Sequence, residues 1–207
     1  MDAAHVRIDP AILYFGTPVA LLSTVGVDGR VNLAPMSSLF WLGSTAVLGM
    51  GSRSQTAANL RDTGEVLINL PSADQVDAVD RLALTTGRDP VPADKAAVGY
   101  RHVADRFAHA GLTPHASETV APPRALECPV ALEGRVIAAH PLEEGGAATY
   151  EVRVTRVHVH RAVLGERTDR IDPDRWRPLI MVFQRFYGLT AEVHPSRLAT
   201  IDEEWYR

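Results

Sequence analysis

Along the first seventy residues, short apolar runs rich in β-branched side chains alternate with polar punctuation, the pattern of strands joined by tight turns. Val19 to Val25 is the first such run, and Val27-Asp28-Gly29-Arg30 follows it with an Asp-Gly pair suited to the positive φ angles of a hairpin turn. The second strand, Val31 to Ala34, runs into Pro35, which removes a backbone donor and marks an edge, a bulge or a strand end. After a loop around Trp41 and Gly43, Thr45 to Met50 reads as a third strand. Gly51-Ser52-Arg53-Ser54 then leads into a helix from Gln55 to Asp62, stopped by Thr63-Gly64. Glu65 to Leu70 is a fourth strand. Ser72 opens a second helix with Gln75 three residues on, a reciprocal capping arrangement, and Val76, Val79, Leu82 and Ala83 form its apolar face.

From Arg88 to Pro123 the chain mixes Pro, Gly and charge, which predicts an excursion from the sheet with one or two short helices between Ala93 and Ala110. Such segments commonly shape a substrate pocket. The chain then returns to β at Ala125 to Leu132, Arg135 to Ala139, Tyr150 to His160 and Leu179 to Phe183, the middle pair joined across Glu143-Glu144-Gly145-Gly146. Within Tyr150 to His160, Val152 and Val154 have one parity and Val157 and Val159 the other. A bulge near Thr155 or Arg156 reconciles the two halves. About seven strands with few helices between them predict a mainly β chain with helices, an α+β barrel, in place of a doubly wound parallel sheet.

Composition narrows the function. A chain of 207 residues with 46% hydrophobic and 22% charged residues fits one domain, residues 1–207, with its own core. The formal charge of −4, with no Lys/Arg block, gives no electrostatic reason to expect nucleic acid or an anionic membrane as partner. The lone Cys128 cannot form an internal disulfide, Met1 to Pro10 lacks a secretory pattern, and no run reaches the roughly 20 apolar residues that span a bilayer. A cytoplasmic location is the expectation.

Two places carry candidate chemistry. At Leu48 to Leu60 a strand delivers a Gly-x-Gly turn onto a helix start, where free N–H groups and the helix dipole favour an anion. Ser52, Ser54 and Thr56 add hydroxyls and Arg53 a planar fork suited to phosphate; the alternative is a capped helix with a surface arginine. Gly49-Met50-Gly51 does not begin a dinucleotide fingerprint, because Ser54 takes the third small position and Asn69 stands where an acid is needed. At Asn32-Leu33-Ala34-Pro35-Met36-Ser37-Ser38, exposed peptide groups at a strand end suit the edge of a flat heteroaromatic ring, the alternative being a loop of Asx and Ser turns.

Phe15-Gly16-Thr17-Pro18-Val19-Ala20, Asn32 to Ser38, Ser52-Arg53, Thr56-x-x-Asn59, Thr63-Gly64-Glu65 and Glu127-Cys128-Pro129 occur in the order found in the flavin reductase-like, FMN-binding split-barrel family, which the chain resembles over most of Phe15 to Ser196. Arg177-Pro178-Leu179-Ile180-Met181 and Gln184-Arg185-Phe186-Tyr187-Gly188-Leu189 are similar to its longer-looped branch. The resemblance implies a homodimer of split β-barrels with FMN near the subunit interface, an inserted segment at about 88–123 and a C-terminal extension at about 161–207. Asn32, Ala34, Pro35, Met36, Ser37 and Ser38 would then meet the flavin ring, and Ser52, Arg53, Thr56 and Asn59 the phosphate and ribityl end. Where many relatives carry Lys-Asp before the matching Thr, Ser54-Gln55 stand here, which places phosphate charge on Arg53 and the helix N-terminus. The Gly-Asp-His element of the family's reductases is replaced by Gly145-Gly146-Ala147-Ala148-Thr149.

Of the remaining side chains, His158 and His160 share a strand face, but even with Glu151 they make no diagnostic metal spacing; plain strand residues are expected. Cys128 is expected to pack as a small apolar group. Among Trp176, Phe183, Phe186 and Tyr187, the last two are placed on the ligand side. Arg161 to Arg177 intersperses both signs, including Arg167, Asp169, Arg170, Asp172, Asp174 and Arg175, and reads as a solvated or dimer-contact loop, from which Arg175 or Arg177 could meet pyridine-nucleotide phosphates. The expected activity is an FMN-dependent oxidoreductase taking hydride from NADH or NADPH to flavin or a small acceptor. The competing expectations are a non-catalytic flavin carrier serving a monooxygenase and a barrel that binds another phosphorylated ring such as pyridoxal phosphate.

Overall fold

The computed structural model describes residues 5–142, 145–166, 169–194 and 196–201. Strands β1 (Phe15–Pro18), β2 (Ala20–Val25), β3 (Val31–Met36), β4 (Leu39–Leu42) and β5 (Thr45–Gly51) precede helix α1 (Gln55–Thr63). Strand β6 (Glu65–Leu70) leads through a 3-10 turn at Ala73–Gln75 into α2 (Val76–Arg81). After β7 (Thr85–Thr86), the excursion contains α3 (Ala93–Ala97), β8 (Arg101–His102), α4 (Arg106–Ala110) and β9 (Pro114–His115), with β10 (Arg124–Ala125) at its end. It is followed by β11 (Val130–Pro141), β12 (Ala147–Val159), β13 (Leu179–Val182) and β14 (Arg185–Gly188).

Seven antiparallel strands in the order β3-β2-β6-β11-β12-β5-β4 make the main sheet, and β1-β13-β14 make a second. Because β3 and β4 are edges of the main sheet, the barrel is split, and the fold is mainly β with few helices, as expected. Both faces of β2 are buried. Ala20 and Leu22 join Leu48, Ile68 and Tyr150 inside the barrel, whereas Val19, Leu21 and Leu33 pack outside it against Val79, Leu82, Phe107 and Ala110. A strand covered on both faces needs no polar alternation, which is why Val19 to Val25 is so uniformly apolar.

The bulge demanded by the valine parity is present: Glu133 pairs with Arg156 and Gly134 with Val154, leaving Thr155 as the extra residue. Pro35 is carried inside β3, opposite Leu21, on an edge strand where its missing donor is harmless. Both short helices expected between Ala93 and Ala110 form.

Other expectations are corrected. The loop around Trp41 is strand β4, whose period-two pattern buries Leu39 and half-buries Trp41 while exposing Phe40 and Leu42; Gly43, at φ 56°, turns it into β5. Ala125 to Leu132 and Arg135 to Ala139 are not two strands, because β11 runs unbroken through Gly134, where a Cβ would collide with Val152. Ala125 pairs instead with Pro114. Strand β13 ends before Phe183, since Phe183 and Gln184 take φ 44° and 64° in a hairpin turn onto β14, an element the pattern did not predict, like β1. In α2, Ala78 is buried and Ala83 exposed, and the helix starts as a 3-10 turn with the Ser72 N–H donating to Gln75 Oε1 at 2.8 Å. Glu143, Glu144 and Arg167 lie outside the described residues.

One buried carboxylate joins the excursion to the barrel. Glu133, fully buried on β11, accepts the backbone N–H groups of Glu118 at 2.7 Å and Thr119 at 2.6 Å, the Thr119 hydroxyl at 2.5 Å and His158 Nε2 at 2.7 Å. Arg124 Nη1 donates to His158 Nδ1 at 2.5 Å, which puts the ring proton on Nε2. Burial alone pushes the Glu133 pKa up, yet the hydrogen bonds from Glu118, Thr119 and His158 together hold it at about 2.

Candidate functional site

Strand β5 hands the chain to α1 through Ser52, Arg53 and Ser54. Ser54 is the N-cap, with extended φ and ψ, and its hydroxyl accepts the Ala57 N–H at 3.0 Å. The first-turn N–H groups of Gln55 and Thr56 have no acceptor inside the helix and lie at its positive end. Thr56 is buried, and its hydroxyl accepts a hydrogen bond from Asn32 Nδ2 at 3.1 Å. Asn59, also buried, accepts from Gln55 Nε2 at 2.7 Å and donates to Thr24 Oγ1 at 3.0 Å. Polar side chains from β2, β3 and α1 thus pair in two sets, Asn32 with Thr56 and Gln55 with Asn59 and Thr24, a network of bonds that brings Asn32, Thr56 and Asn59 together although they are distant in sequence.

That network seats the strand end against the helix start. A cleft of about 180 Å³ is lined on one side by Ala34, Pro35 and Met36, and at its floor by Ser54 and Thr56. Leu84 and Thr85, just before the excursion, and Lys95, Tyr100 and Arg106 within it complete the lining. A larger cleft, about 710 Å³, reaches Asn32, Gln55 and Asn59 from the other side and shares Arg106. It is ringed by Asp28, Asp89 and Asp105 as well as Arg30, so it is poorly suited to an anion.

The other expected residues, Ser37, Ser38, Ser52 and Arg53, do not line the smaller cleft but adjoin its lining residues along the chain. Ser37 and Ser38 are half-buried beyond Met36; the Ser38 carbonyl accepts the Gly49 N–H at 2.8 Å, and its hydroxyl lies 3.5 Å from the Tyr14 hydroxyl. Ser52 is held by its backbone, its N–H donating to the Gly146 carbonyl at 2.8 Å and its carbonyl accepting Arg61 Nη1 at 3.0 Å. The hairpin tip that replaces Gly-Asp-His therefore rests on the turn. Arg53 lines neither cleft; its side chain is 78% exposed and its Nη2 donates to Asp94 Oδ2 at 2.6 Å. Arg88 reaches back beneath it, Nε to the Arg53 carbonyl at 3.2 Å and Nη2 to the Ser54 carbonyl at 3.4 Å.

Two cations that sequence reasoning missed stand in the excursion. Arg106 is only 3% exposed; its Nε donates to the Leu33 carbonyl, while its buried Nη1 has no hydrogen-bond partner. Burial lowers its pKa to about 10. Burial also pushes the Lys95 ammonium down, Asp94 opposes that shift, and Arg106, Arg88 and Arg53 add to it. Nothing local in Asp105-Arg106-Phe107 marks such a role, because the strand and the helix start that Arg106 faces lie far earlier in the chain.

Phe186 and Tyr187 sit in β14, Phe186 packed on the outer core cluster and Tyr187 49% exposed; neither lines the Pro35 cleft. Phe183 meets Phe15 edge to face at 5.1 Å, and Trp176 packs on the inner core. His160 Nε2 bonds the Leu126 carbonyl and Glu151 bonds His140, and among the described residues no group of three metal-ligating side chains forms. Cys128 is buried, and burial pushes its thiol up to about 12. Arg175 is engaged by Asp172 at 3.1 Å and the Leu164 carbonyl at 2.9 Å. Among the described residues no helix is long and apolar enough to cross a membrane.

Comparison with known proteins agrees with this architecture. The family described as "Flavin reductase like domain" matches residues 12–190. The chain is 35% identical over 188 residues to "Uncharacterized protein YdfE" of Bacillus subtilis (strain 168), covering 90% of each chain. Its fold is similar to that of flavoredoxin of Desulfovibrio vulgaris (Miyazaki F), with a TM-score of 0.76, 21% identity and coverage of 94% of this chain and 98% of that one. It is also similar to nitrilotriacetate monooxygenase component B from Bacillus cereus, with a TM-score of 0.73, 20% identity and coverage of 94% and 100%.

Proposed function

The chain belongs to the flavin reductase like family, and on that premise we propose that it binds FMN and acts as an oxidoreductase, taking hydride from NADH or NADPH for transfer to flavin or a small acceptor. The observation that carries this reading is the cleft in which an apolar strand end, Ala34 to Met36, meets a donor-rich helix start at Ser54 and Thr56 beside a buried guanidinium. A flat ring with an anionic tail matches that division of surface. Asn32, Ala34, Pro35, Met36, Ser37 and Ser38 take the ring side, and Ser52, Arg53, Thr56 and Asn59 the phosphate and ribityl side. The flavin supplies the hydride-accepting atom itself, so the protein needs no acid or base of its own for that step. What the side chains do is orient the ring, shield one face with Pro35 and Met36, and neutralise the tail.

The same reading treats the chain as one FMN-binding domain that pairs with a second copy. Phe15, Phe183, Tyr187 and Leu189, all substantially exposed, crowd the second sheet and its exit, an apolar surface that association would cover. Phe186 and Tyr187 serve the ring only if that copy brings them to it. Fold similarity to nitrilotriacetate monooxygenase component B supports a monooxygenase as the consumer of the reduced flavin, the role in which a carrier would also act.

Titration of the apo-protein with FMN, FAD and riboflavin, followed by flavin fluorescence, tests the cofactor. Anaerobic NADH or NADPH should then bleach the bound flavin at about 450 nm within seconds. Bleaching by neither nucleotide moves the reading to a carrier, and failure to bind any flavin ends it.

A further inference from the structure

We infer that Arg106, with Lys95 beside it, is the anion-holding group of the cleft and takes the phosphate monoester of the bound flavin. The inference rests on the flavin reading above and adds where the charge comes from: the excursion, in addition to the turn at Ser52 to Thr56.

The cationic side of the cleft is incomplete as it stands. A guanidinium is a costly group to bury, and interiors normally surround it with carboxylates or carbonyls. Arg106 has one such partner, the Leu33 carbonyl, and its Nη1 is buried without any. Among the described residues no carboxylate forms an ion pair with it, and Lys95 beside it feels Arg106, Arg88 and Arg53 as like charges, with Asp94 opposing them. Asp94 is spent on Arg53. Two cations, Lys95 and Arg106, share a cleft with Ser54 and Thr56 at a helix N-terminus, and that set of donors lacks one component, which is a doubly charged anion. The Nε bond to Leu33 fixes the plane of the fork, which reduces the side-chain freedom still to be lost on pairing with an anion.

Wild type and Arg106→Gln, stripped of flavin, are titrated with FMN and with riboflavin, which differ only in the phosphate. Wild type should prefer FMN. In Arg106→Gln the FMN dissociation constant should rise about tenfold or more while that of riboflavin changes less than about threefold. Lys95→Gln, on a half-exposed helix, should narrow the same preference by a smaller factor, and it keeps the test decisive if Arg106→Gln does not fold. A preference unchanged in the folded variants overturns the inference, as does equal loss of both ligands from folded Arg106→Gln. Equal binding of FMN and riboflavin by wild type also overturns it while leaving flavin binding intact; no flavin binding at all removes the reading on which it rests.

Discussion

The side-chain amide of Asn32 donates to the hydroxyl of Thr56 across 3.1 Å, and both residues are buried, so the edge of the main sheet and the first turn of α1 are fixed relative to each other. The strand end and the helix start that line the cleft are therefore parts of one rigid corner.

Replacing Thr56 by Val should strand the Asn32 amide without changing shape. The expected loss of stability is about 1–3 kcal/mol, the cost of a buried donor left unsatisfied, read as a lower denaturant midpoint at constant slope. FMN affinity should fall as well. A variant as stable as wild type would show that water satisfies Asn32 and that the corner is looser than its hydrogen bond implies.

Ser37 tests the strand end separately. A Leu at this half-buried position should obstruct the ring while leaving Ser54, Thr56 and the core untouched. Purified Ser37→Leu is expected to carry little flavin, with a melting temperature within a few degrees of wild type. Full flavin content in that variant would move the ring elsewhere.

Acid should release the excursion. The folded pKa of Glu133, about 2, lies below the ordinary carboxylate value, so the carboxylate contributes stability that is present above the unfolded pKa and lost as pH falls through the folded one. Between about pH 4 and pH 2, wild type should lose stability that Glu133→Gln, weaker at neutral pH, no longer has to lose. Parallel stability curves for the two proteins across that window would contradict this.

Association is expected to depend on the second sheet. Phe15 is 72% exposed and Phe183 42%, their rings in edge-to-face contact. Changing both to Asp should leave the barrel folded and shift the sedimentation coefficient from dimer to monomer. A wild-type protein that sediments as a monomer at micromolar concentration would dispose of the paired copy.

Much of the barrel could be read from the chain because its signals are local. Thr63-Gly64 and the valine parity around Thr155 each act within a few residues and appear as expected, and Asp28-Gly29 does turn β2 into β3, although only Gly29 takes a positive φ and the connection is longer than a tight turn. The misreadings arise where a partner decides. Leu39 to Leu42 is a strand because β5 pairs with it, and β11 survives Gly134 because Val152 occupies the space a side chain would need. The site divides the same way. Asn32, Thr56 and Asn59 were visible as polar residues near turns, whereas Arg106 became a candidate only through burial and an unmatched donor, neither of which a sequence displays.

The Glu133 latch has a bearing on how such chains diversify. Its carboxylate is supplied by the barrel, but all its partners save His158 come from Glu118 and Thr119, so trimming or exchanging the loop leaves an under-satisfied anion in the heart of the scaffold. Grafts of this segment between homologues should succeed only when Glu133 and His158 travel with it, making a covering that looks interchangeable a heritable unit with the wall beneath.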